Sequence, residues 1–132
     1  MGLDTTHGCW HAPYSAFLRW RSELARAAGY EIDGQGQYVL PWDEFKPEHY
    51  QGEWNGFVPG DDPLLYLLVH SDCDGVIHPG QGIHIAARLK QLLPLLDESS
   101  SAGNIMSTRQ RTQRFIDGLT AAAKAGEDVE FH

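Results

Sequence analysis

Long apolar runs, cysteine and positive charge are all scarce in this chain, and each shortage removes a class of protein. No stretch approaches the roughly 20 apolar residues that span a bilayer. The first residues also lack the basic start and apolar segment of a secretory signal, so the expectation is a cytoplasmic protein with no membrane partner. Two cysteines, Cys9 and Cys73, are too few for a disulfide scaffold, and a reducing compartment would keep both as thiols. Ten Lys and Arg against 18 Asp and Glu leave a formal charge of −8. That balance opposes the phosphate neutralisation on which non-specific nucleic-acid binding depends, so no nucleic-acid partner is expected. The local exception is Arg109, Arg111 and Arg114, of which the last two share a helical face. Such a run ordinarily faces water. No internal repeat is visible, which argues against a solenoid.

What is present is ordinary for one small globular unit: 132 residues, 42% of them hydrophobic. We read residues 1–132 as a single domain. Residues 1–11 are too irregular for a helix and too rich in His, Cys and Trp for a solvated tail, so they should be packed. Pro13 suits a first helical turn, and Tyr14, Phe17, Leu18, Leu24, Ala25 and Ala28 recur at helical spacing until Gly29, which predicts a helix over 13–28. An irregular, Gly- and Pro-rich insertion follows at about 30–62, with a short strand expected at Tyr38, Val39 and Leu40. The apolar run at 64–69 reads as a buried central strand. A second helix is expected over 83–93, ended or kinked near Pro94, then a flexible connector at 97–103. A third helix is expected over 107–125 with Gly126 as its stop, and a last short strand at Val129, Glu130 and Phe131. The sum is an α+β fold, with about three helices packed on a short sheet and the site at the carboxyl end of the central strand.

That site is the most informative stretch, because His70, Asp72, Cys73 and Asp74 put four potential metal ligands into five residues. Burying two carboxylates, an imidazole and a thiol without partners would cost several kcal/mol, so something cationic or hydrogen-bonding should answer them. Near the start, Asp4, His7, Cys9 and His11 offer a second set. The two sets together are candidate ligands for one divalent ion, zinc or magnesium. Neither has the paired C-x-x-C or H-E-x-x-H spacing of a strong zinc motif. The alternative is that the cysteines pack as small hydrophobes while the histidines bond to carboxylates. Asp72-Cys73-Asp74-Gly75-Val76-Ile77 also resembles the first motif of haloacid dehalogenase-type phosphatases. In that family the first Asp is the nucleophile and the second the general acid/base beside magnesium, roles the resemblance would give to Asp72 and Asp74. In a metal-dependent hydrolase, Asp72, Asp74 and His70 are the candidate catalytic residues, holding an ion that activates water, with His7 or His11 as further ligands. The later acidic pair of that family has no counterpart, since Asp61-Asp62 precedes the motif. A calcium loop fits less well, with His70 and Gln81 where acids are needed.

A second theme is aromatic. Trp10, His11, Tyr14, Arg19 and Trp20 are candidate ligand-binding residues, able to stack on a nucleobase or anchor a protein. Trp42, His49, Tyr50 and Trp54 are candidates for a lid over them. MGLDTTHGCWH, YSAFLRWR, HSDCDG and FIDGLTAAAKAGEDVEFH resemble a family of small accessory proteins met mainly in tailed phages of actinobacteria and in some bacteria. The resemblance implies a stand-alone cytoplasmic protein and carries no catalytic role to any residue. Three functions remain in play. The first is capture of a small nucleotide-like ligand or a host protein, in a counter-defence or host-modulating role. The second is metal-dependent hydrolysis, of a phosphoester for example, by the HSDCDG carboxylates. The third is a bracing role for that cluster with function on the outer surface. Homo-oligomerisation is compatible with each.

Overall fold

Ser107 opens the best-defined helix of the molecule. Its hydroxyl accepts from the Gln110 amide at 3.1 Å, and Gln110 Oε1 accepts from the Ser107 amide at 2.9 Å, so two donors left over at the helix start satisfy each other's side chains. Gly126, at φ 68°, ends the same helix in the left-handed conformation that glycine adopts without strain. The computed structural model describes residues 2–41, 45, 58, 60–97 and 107–132. Among these the chain runs through β1 (Gly2–Asp4), β2 (His11–Pro13), α1 (Tyr14–Ala27), α2 (Pro63–Leu68), β3 (Val76–Ile77), α3 (Pro79–Leu92), α4 (Thr108–Ala125) and β4 (Val129–Glu130). This is a small α+β fold, with four helices and two antiparallel sheets among the described residues.

The apolar run at 64–69 is not the expected strand: residues 63–68 form helix α2. Pro63 stands at the helix start, and Asp62 caps it by accepting from the Leu64 amide at 3.0 Å. Only Val69 in the run is β-branched, and all five of Leu64, Leu65, Tyr66, Leu67 and Leu68 are buried. An element buried on every side shows no periodicity, so length and composition alone had to separate helix from strand. With no central strand, each sheet has just two short strands. Gly2 lies opposite Pro13 and Asp4 opposite His11 in one, and Val76 opposite Glu130 and Ile77 opposite Val129 in the other. A bridge between Thr5 and Phe131 laces them together, Asp4 and His132 exchange backbone bonds of 3.1 and 2.8 Å, and Phe131 N donates to Gly75 O at 2.9 Å.

The remaining helices keep close to expectation. The first runs from Tyr14 to Ala27 with Pro13 as its cap residue, and the last from Thr108 to Ala125. The helix expected from 83 begins earlier, at Pro79, because proline suits a first turn. Gly82 is admitted there because it sits against Leu119 and Ile77. The strand expected at Tyr38, Val39 and Leu40 is reduced to one bridge between Ile32 and Tyr38. Most of the expected connector at 97–103 lies outside the described residues. The helices bury Phe17, Trp20 and Leu24 of α1, Leu64 and Leu67 of α2, Ile85 and Leu89 of α3, and Phe115, Ile116 and Leu119 of α4 in one core. Each such side chain contributes roughly 1.5–3 kcal/mol of burial.

Candidate functional site

The loop after α2 is held by a buried cation. Arg21, 6% exposed, donates to the carbonyls of Leu67 and Leu68, both at 3.3 Å, and of His70 at 2.7 Å, while Tyr38 OH donates to Leu68 O at 2.8 Å. A guanidinium at the carboxyl end of a helix satisfies orphan carbonyls and opposes their partial negative charge. Burial lowers the pKa of Arg21, and the nearby Tyr38 and Asp72 oppose that shift. Arg21, contributed by α1, thus answers the carbonyls of this loop and feels the charge of Asp72 at longer range.

His70 is spent on the backbone. Its Nδ1 lies 2.8 Å from Ser71 O and its Nε2 2.9 Å from Val76 O, and its ring stacks 4.1 Å from that of Phe131. A metal needs a ring lone pair directed at it, and here both nitrogens face carbonyl oxygens. Gly75, at φ 85°, brings the chain back beside the imidazole: a Cβ there would sit 3.4 Å from the ring. Cys73 N donates to Ser71 Oγ at 3.2 Å, and Cys73 and Asp74 are exposed. Asp72 is half-buried.

In the N-terminal set His7 and Cys9 are committed, whereas Asp4 and His11 form only a long, exposed pair. His11 Nδ1 lies 3.5 Å from Asp4 Oδ1. His7, at the left-handed φ of 61°, is held between Thr6 Oγ1 and Glu127 Oε1, each at 3.0 Å. Cys9 is 1% exposed, and burial pushes its thiol up to about 12, which disfavours the thiolate that a metal binds. It packs on Gly118 of α4, where an added Cβ would come within 2.4 Å of Cys9 Sγ and 2.9 Å of His7 O. Among the described residues no group of three or more His, Cys, Asp or Glu side chains is placed to hold a metal ion. Asp4, His7, Cys9 and His11 thus do not merge with His70, Asp72, Cys73 and Asp74 into one such centre.

Of the expected aromatic ligand residues, Trp10 and Trp20 are core, each 2% exposed. Their rings lie 5.1 Å apart and continue into Phe17, Phe115 and Phe131, and Trp20 Nε1 donates to Thr112 Oγ1 at 2.9 Å. His11 is exposed and Tyr14 half-buried. Five residues along a helix turn the face by about 140°, so Tyr14 and Arg19 occupy different sides of α1. Trp42, His49, Tyr50 and Trp54 lie outside the described residues.

What the structure does bring together is arginine. The Arg111 guanidinium lies over the Trp10 ring, 4.8 Å from its centre, a cation–π contact, and Arg114 Nε donates to Gly8 O at 3.1 Å. Arg19 of α1 is near enough that it and Arg114, after burial itself, lower the pKa of Arg111, while Glu23 opposes them. Glu23 is hydrogen-bonded by the Thr108 hydroxyl. Among the described residues none of these three arginines has a carboxylate within 4 Å. The chain matches no protein-family model, no curated protein and no solved structure. Sequence reasoning treated Arg111 and Arg114 as a solvated face. Their three-residue spacing was legible, but their contacts with Trp10 and Gly8 depend on how residues 6–10 cross α4.

Proposed function

We propose that this protein is a binding protein rather than an enzyme, and that it captures a small, nucleotide-like anionic ligand where α1, α4 and residues 6–10 meet. One observation carries the reading: in a chain of net charge −8, Arg111 lies on Trp10 and Arg114 is tied to Gly8 O one turn along α4, where Trp20 and Glu23 of α1 bond to Thr112 and Thr108 of α4 and bring Arg19 into the same neighbourhood. Like charges brought together without paired carboxylates create a local positive potential, and that potential acts on a small anion at short range. Binding of this kind fits a small accessory protein of the phage type that the sequence resembles, since such proteins often act by inhibiting a host protein or sequestering a host signalling nucleotide, an analogy of context. The HSDCDG loop then has a bracing role, with His70 fastened to Val76 O and stacked on Phe131.

Calorimetric titration of the full chain with nucleoside mono-, di- and triphosphates tests this. The expected result is saturable binding that Arg111→Gln/Arg114→Gln weakens about ten- to hundredfold, as loss of charge-assisted hydrogen bonds does, with every nucleotide recovered intact. Turnover of a phosphoester in the presence of zinc or magnesium, abolished by Asp72→Asn in folded protein, would instead establish the metal-dependent hydrolase.

A further inference from the structure

Resting on that reading, we propose that the group recognised on this face is a terminal phosphate, gripped by Arg19, Arg111 and Arg114. The face is rich in donors and poor in free acceptors. Glu23, whose charge acts on Arg111, accepts from the Thr108 hydroxyl and is the carboxylate the ligand must outcompete, Gly8 O receives Arg114 Nε, and no hydrogen bond occupies Arg19 or Arg111 among the described residues. A carboxylate has two oxygens and one charge, which one guanidinium fork satisfies. A terminal phosphate has three oxygens and close to two charges, which suits three forks.

Two of the three arginines are already positioned. Arg111 is laid on the Trp10 ring and Arg114 is tethered to Gly8 O, so less side-chain freedom is lost when a ligand arrives. Burial chiefly, and the charges of Arg19 and Arg114 after it, disfavour the charged form of Arg111; a bound dianion would offset the repulsive part, so occupancy should stabilise the fold. The acidic remainder of the surface repels long polyanions, whereas a small ligand experiences chiefly the local potential within a Debye length. The same face should therefore accept phosphate groups on small molecules and reject nucleic acid.

The test uses the full chain at fixed ionic strength, set with sodium chloride. Thermal unfolding and calorimetry are recorded with pyrophosphate, acetate, a nucleotide and the matching uncharged nucleoside. The variants are Arg111→Gln/Arg114→Gln and Arg19→Gln. Arg19 is exposed and makes no hydrogen bond among the described residues, so its loss should leave folding untouched. The expected result is saturable binding of pyrophosphate and nucleotide, none of acetate or nucleoside, and about tenfold or more loss of affinity in either variant. If a nucleotide binds and Arg111→Gln/Arg114→Gln weakens it, but pyrophosphate does not bind, the phosphate inference fails and capture of a small anionic ligand on this face stands; if nucleoside and nucleotide bind alike, or the variants bind a nucleotide as well as wild type does, both fail. If neither nucleotide nor pyrophosphate binds, both fail. Non-saturating stabilisation shared by wild type and variants would be a general effect of excluded anions and would also overturn the inference.

Discussion

Gly118 is the residue on which the N-terminal segment depends most directly. With Cys9 Sγ 2.4 Å and His7 O 2.9 Å from where its Cβ would be, Gly118→Ala forces residues 7–9 off α4. It should destabilise the protein by about 1–3 kcal/mol, the usual cost of overpacking, measured by urea unfolding. The two thiols should differ just as sharply. Cys73 is exposed and Cys9 buried with its pKa pushed up to about 12, so a disulfide reagent should label one thiol per folded chain and the second only after denaturant is added. Labelling of both at equal rates in native protein would contradict the packing of Cys9. The sequence announced these residues by type but not by partner. Cys9 had two readings, thiolate ligand or small hydrophobe, and the choice rested on a glycine 109 positions away, visible only once the chain is folded.

Elements were legible where they are amphipathic. α1 and α4 show one apolar face to the core and one polar face to water, so their periodicity fixes both type and ends to within a residue or two. α2 has no polar face to provide that signal, and its helical state follows instead from its two ends. Asp62 at the start accepts from Leu64 N, from Tyr30 OH at 2.7 Å and from Arg88 Nε at 3.0 Å. Arg21 at the finish donates to three carbonyls. Arg21→Met keeps most of the buried volume but strands those carbonyls. It is expected to cost about 2–4 kcal/mol, the range for buried polar groups left without partners, read as a drop in melting temperature. Arg21→Lys, able to reach some of them, should lose less. An unchanged melting temperature in Arg21→Met would show that α2 does not depend on its cap.

For the molecule as a whole, alkaline pH is the expected weakness. Cys9 moves from an ordinary 9.0 to about 12, and Tyr66, buried and donating to Asp61 at 2.9 Å, from 10.0 to about 12. A raised value means that the folded state holds its proton more tightly than the unfolded chain. The stabilisation is therefore complete below the ordinary values and is lost as pH climbs from about 9 to about 12, at roughly 1.4 kcal/mol per unit for each group in its window. Tyr66→Phe should flatten the upper part of the profile in denaturant titrations across pH. The α+β class was readable from the order of elements. The candidate site was not, because Trp10 and Gly8 are about a hundred positions from Arg111 and Arg114 and reach them only in the folded chain.

The reciprocal bonds between Asp4 and His132 bear on how the chain folds. They join residues separated by nearly the whole sequence, so closing them costs the largest loop entropy available to this chain, which the burial of Leu3 and Phe131 repays only once the helices are in place. Helix contacts among α2, α3 and α4 are far more local and should organise first, with the stitching of the two sheets as a late step. In native-state hydrogen exchange the Asp4 and His132 amides should open together, ahead of the α4 core, as one weak seam at the margin of a more durable helical body.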